Sequence, residues 1–157
     1  MKALLFILLV CTLSACGPTR TRDEITGTLS ERVTRATTIL SKYCKPPGQL
    51  LDAHMAEDVI DNSSGWSTPG PSNSTLSGVI TFPPADLPKW QKILSPQMTL
   101  VDSPSYCGHL PAPTWWPAAS AFKDCEFYEP KKLTGRTFGI LALSPSSAAI
   151  YFSTGSN

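Results

Sequence analysis

The sequence predicts an α+β domain, an antiparallel sheet with an N-terminal helix and a second helix packed on one face. Three observations carry that prediction. Ile25, Leu29, Val33, Ala36, Ile39, Leu40 and Tyr43 recur at helical spacing, with Glu31, Arg32, Arg35 and Lys42 off the stripe. Leu87, Trp90, Ile93 and Leu94 repeat the same period in a shorter segment after Pro83-Pro84. Two β-type runs, Thr137 to Leu143 and Ala148 to Ser153, flank Ser144-Pro145-Ser146-Ser147 and read as a C-terminal hairpin.

In chain order, Thr21-Arg22-Asp23-Glu24 has the pattern of a capping box, so the first helix is expected to start there and to stop at Pro46-Pro47-Gly48. Gly27 falls inside it and weakens its first turn by about 1 kcal/mol relative to alanine. Leu51, Met55 and Val59 stand four apart, with Asp52 as a cap, and predict a second short helix over 50–62. Asn62 to Thr75 is turn material. Leu76 to Phe82 reads as a strand feeding a helix from Ala85 to Leu94, in which Pro88 is tolerated because it lies in the first turn. A strand over Met98 to Val101, a proline-rich connection over 103–119 and a strand over Phe122 to Tyr128 complete the reading.

The N-terminus carries the most specific pattern. Lys2 supplies a positive charge, Ala3 to Leu13 an apolar run too short for the ~20 residues of a membrane-spanning helix, and Leu13-Ser14-Ala15-Cys16 closes it. These four residues resemble the lipobox of bacterial lipoproteins. The resemblance implies cleavage before Cys16, a diacylglycerol on its thiol and acylation (palmitate or a similar chain) of its freed amine. Two or more acyl chains hold a protein firmly to a bilayer. Gly17 stands where an aspartate retains Gram-negative members in the inner membrane, which for a Gram-negative source implies the outer membrane, facing the periplasm. The alternative is an ordinary secretory signal cleaved near Ala15, whose small-x-small rule Leu13 does not meet. The expected organisation is a signal peptide over 1–15, a lipidated tether over 16–20 and one globular domain over 21–157.

Cleavage before Cys16 leaves 142 residues, enough for one core. Loss of Lys2 leaves twelve residues of each charge sign, a balance that argues against nucleic acid as a partner. Three cysteines remain for the folded part, Cys44, Cys107 and Cys125. Cys107 and Cys125 flank the same proline-rich loop, and a bridge between them would contribute roughly 3 kcal/mol by closing it. A bridge from Cys44 to either one is the alternative.

The segment from Tyr106 to Pro117 is the most unusual in the chain and supplies the candidate binding residues Tyr106, His109, Trp115 and Trp116. Aromatic groups on a loop stiffened by prolines lose little entropy on binding. The competing account is that the tryptophans pin a long loop to the sheet. His54 and Asp58 would stand one turn apart on a helix, but a zinc site needs three or four ligands, so neither metal nor cofactor is expected. Cys44 with His54 or His109 has the elements of a thiol nucleophile, and a structural thiol is the better account in an oxidising compartment. Ser120-Ala121-Phe122-Lys123 and Lys132-Leu133-Thr134-Gly135 only loosely match the elements of penicillin-binding enzymes, in a chain too short for that fold. The expected function is therefore a non-enzymatic, lipid-anchored envelope protein that binds an envelope protein or cell-wall component. A small-ligand or glycan binder using the same loop is the alternative.

Overall fold

Short apolar runs bounded by turn residues decide the architecture of the chain, for which a computed structural model describes residues 19–61, 73–98 and 104–156. The strands β1 (Thr19–Glu24), β2 (Asp52–Asp61), β3 (Asn73–Thr81), β4 (Gln97–Met98), β5 (Glu126–Tyr128), β6 (Phe138–Ser144) and β7 (Ala149–Ser156) form one seven-stranded sheet. Its order is β1-β2-β3-β7-β6-β5-β4, and every pairing is antiparallel. Among the described residues three helices, α1 (Leu29–Leu40), α2 (Leu87–Leu94) and the single turn α3 (Lys131–Thr134), accompany it. The protein is an α+β domain, with α1 and α2 packed on one face.

The larger core lies under those helices. Ala53 and Met55 of β2, Leu76 and Ile80 of β3, Leu141 and Leu143 of β6 and Ile150 and Phe152 of β7 meet Ala36 and Leu40 of α1 and Trp90 and Leu94 of α2. β7 is central and buried on both faces along nearly its whole length. The opposite face carries a second cluster, built on Phe122, Ile140, Ala142, Ala149 and Tyr151, beneath the connection that follows β4. The predicted hairpin is β6 and β7, and the predicted helix over 85–94 is a 3-10 turn at Pro84–Asp86 running into α2.

Five expectations change. Thr21 to Glu24 lies in a strand, and the capping box belongs to Thr28 and Glu31: the Glu31 carboxylate accepts from the Thr28 backbone N–H (2.7 Å), and the Glu31 N–H donates to Thr28 Oγ1 (3.4 Å). Gly27 is the turn between β1 and α1, where its φ of +114° suits glycine. The segment expected as a second helix is β2, the longest strand. The strand expected from Phe122 starts only at Glu126, because residues 119–122 form a 3-10 turn. The tether expected over 16–20 is shorter, since Thr19 and Arg20 already pair with Asp61 and Ile60; only Gly17 and Pro18 separate Cys16 from β1. Cys16, the segment 1–15, the turn after Asn62 up to residue 72 and the end of the strand expected over Met98 to Val101 lie outside the described residues.

Candidate functional site

On the sheet face away from the helices, register alone assembles three rows of side chains. Arg22, Asp58, Thr75 and Gly155 are successive cross-strand neighbours, as are Glu24, Ala56, Ser77 and Ser153, and then His54, Val79, Tyr151 and Ala142. The loop from residue 104 to 122 lies across these rows and is tied to each.

The first row holds the strongest ties. Arg22 grips Asp58 with both arms of its guanidinium, Nε to Oδ1 at 2.6 Å and Nη2 to Oδ2 at 2.9 Å. Tyr106 reaches down from the loop; its hydroxyl donates to Asp58 Oδ2 (2.9 Å) and accepts from Arg22 Nη2 (2.8 Å), while Arg22 Cζ lies 5.9 Å from the ring centroid. The Leu110 N–H also donates to Asp58, and Arg22 donates to the Pro111 carbonyl. The Asp58 side chain is 1% exposed and that of Arg22 19%. Burial alone would push the Asp58 carboxyl up, but donation from Arg22, Tyr106 and Leu110 outweighs it and holds the group below the usual carboxylate range. The same environment acts oppositely on Tyr106, which burial and the Asp58 carboxylate push up to about 12.

The second row binds the loop backbone. Ser77 and Ser153 share a buried Oγ to Oγ hydrogen bond of 2.9 Å, and the Cys107 N–H donates to Ser153 Oγ at 3.0 Å. At its outer end Trp115 Nε1 donates to Glu24 Oε1 at 2.7 Å. In the third row the Trp115 ring stacks on His54 with centroids 6.0 Å apart. Trp116 meets Tyr106 edge-on at 5.2 Å and Phe122 at 6.1 Å, and Phe122 meets Tyr151 at 5.4 Å, a continuous aromatic chain into the smaller core.

Of the four candidate binding residues, Tyr106, Trp115 and Trp116 therefore hold the loop down, as the core-anchor account has it. His109 stands apart. It is half-buried, and among the described residues its side chain has no hydrogen bond, ion pair or ring partner. The bridge expected between Cys107 and Cys125 is absent, and both are free thiols. Cys107 lies over Ser153 of β7, whereas Cys125 leads into β5, whose Glu126 faces Leu143 and through it Ile150. Three residues along the sheet and two strands across separate those positions by roughly 14 Å, beyond disulfide reach. Burial pushes the thiols of Cys44 and Cys107 up and that of Cys125 to about 11, so all three are poor nucleophiles. His54 and Asp58 stand four residues apart on a strand, about 13 Å, and Arg22 occupies Asp58; they are not neighbouring ligands.

Sequence reading passed over Ser153, placed Arg22 and Glu24 in a capping box and weighed Asp58 only with His54, so it linked none of the four to the loop. Their partners lie 36 to 91 positions away along the chain, so no local pattern shows these pairings.

The clamp has a titration signature. Tyr106 is held neutral by burial and by donating to Asp58, so its folded pKa lies above the ordinary value near 10. The stability this supplies is complete below about pH 10 and is lost as pH rises towards about 12. Phenolate absorbance should show Tyr106 ionising about two pH units later than a free tyrosine and together with alkaline unfolding; a Tyr106→Phe variant should lose that late component. Ionisation of Tyr106 at an ordinary pKa would mean that the hydroxyl is not held as described.

No protein-family model, no curated protein and no solved structure matches the chain.

Proposed function

We propose that the chain is a non-enzymatic envelope lipoprotein, anchored through lipid on Cys16, whose periplasmic domain binds another macromolecule, an envelope protein or a cell-wall component. The observation that supports it best is the clamped loop. Its prolines and three of its aromatic side chains are fixed before any partner arrives, so little entropy remains to be lost on docking. His109 is left unengaged within that fixed loop. A rigid polar and aromatic surface over a sheet is the construction of a recognition surface rather than of a cavity that encloses a substrate.

Affinity capture tests the reading in two arms. The full chain, cross-linked in envelopes of its own source, should recover one partner near stoichiometrically, and His109→Glu should lower that recovery at least tenfold without moving the thermal midpoint. Recovery of the same partner by wild type and variant alike would remove the loop from the interface. For the anchor, Cys16→Ser should release the protein from membranes into the soluble envelope fraction; a variant that stays with the membranes has no lipid anchor at Cys16.

A further inference from the structure

On the helix side of the sheet, between α1 and the β1-β2 edge, lies a cleft of about 150 Å³. Its floor is apolar: Ile25, Met55 and Leu76 are buried members of the main core, and Ile39 of α1 packs against them. Its charged wall is made by Arg35 of α1 and by Lys42 in the turn that follows the helix. Among the described residues neither cation has a hydrogen bond or ion pair, in contrast to Arg136, which is bound by Glu57 and Ser74. Asp23 of β1 and its cross-strand neighbour Glu57 form the opposite wall; Glu57 is neutralised by Arg136, which also lines the cleft, and Asp23 has no side-chain partner among the described residues.

We propose that this cleft binds the C-terminal residue of a peptide that ends in an aliphatic side chain. A cavity near 150 Å³ takes a body the size of benzene, well below the ~300 Å³ at which pockets for whole small molecules begin, so the occupant is one side chain and its immediate backbone. Two unengaged cations beside an apolar floor match a carboxylate one bond removed from the carbon that carries that side chain. An internal aspartate or glutamate would bring charge without the apolar group. Asp23 repels a second carboxylate and offers an acceptor to the amide N–H of the terminal residue. This inference rests on the reading of the domain as a binding protein and specifies a second surface on it, away from the clamped loop.

The test needs neither the lipid anchor nor the cellular partner, so its failure is distinct from failure of the capture experiment. Methyl-labelled full chain is titrated with an N-acetylated tripeptide ending in leucine, as the free acid and as the amide. The free acid should shift the methyl signals of Ile25, Ile39, Met55 and Leu76 with a dissociation constant of about 1 mM or tighter. The amide, and the exposed-site double variant Arg35→Gln/Lys42→Gln, should each weaken binding at least tenfold, with the thermal midpoint unchanged. Free hexanoate separates a peptide terminus from any short-chain carboxylate, and hexanoate binding as tight as the peptide's would overturn the peptide assignment. Equal binding of acid and amide, or no movement of these methyl groups with the acid, would overturn the site.

Discussion

Asp58→Ala is expected to destabilise the domain by about 3 kcal/mol, because it removes the acceptor on which Arg22, Tyr106 and Leu110 converge. Arg22 is left with a largely buried guanidinium over the Tyr106 ring, and the half-buried Tyr106 hydroxyl loses its acceptor. Arg22→Leu strands the complementary charge on Asp58 and should cost a similar amount. The double variant Arg22→Leu/Asp58→Leu should cost less than the sum of the two, since an ion pair replaced whole by apolar groups leaves no charge uncompensated. Chemical denaturation of the four proteins closes that cycle, and additive single effects would mean that the pair is not coupled. The same carboxylate sets an acid limit. Its folded pKa is depressed, so its stabilisation is complete above the ordinary aspartate value near 3.9 and drains away as pH falls below it.

Trp116→Ala carries the second largest effect, about 2 kcal/mol. The indole bridges Tyr106 on the loop to Phe122 in the smaller core, and truncation breaks the aromatic chain in the middle. Amide exchange separates a local from a global consequence. If the loop opens as a unit, residues 106–116 should lose protection while β3 and β7 keep theirs, because those strands are held from the helix side by a separate core. Uniform loss of protection across the sheet would show that the two clusters fold as one.

These effects rest on contacts that the sequence could not display. The C-terminal hairpin was legible because two short apolar runs, one of them Ile140 to Leu143, flank the turn residues Ser144 to Ser147, and α2 because the Leu87, Trp90, Leu94 spacing fits the helical period. β2 was not, for a definite reason. Leu51, Met55 and Val59 stand four apart, and four is nearly a whole helical turn and also two whole strand repeats, so the spacing is the same for either structure. Thr21 to Glu24 meets the pattern of a capping box as well as Thr28 to Glu31 does. What separates them is Gly27, which permits the turn and makes the second start the real one. The candidate site was half legible. Its aromatic loop stood out by composition, but the charges that fix it became neighbours only through strand register, which a single chain read in order does not contain.

Only two residues lie between Cys16 and β1, and on a chain anchored at that cysteine those two residues are the whole leash. Fully extended, it would let the first strand stand off a cysteine acylated as proposed by roughly 10 Å, less than the thickness of one lipid leaflet. A domain so anchored would not sweep its compartment in search of a partner. It would drift as part of the bilayer surface, and a partner would have to reach touching distance of that surface by its own route.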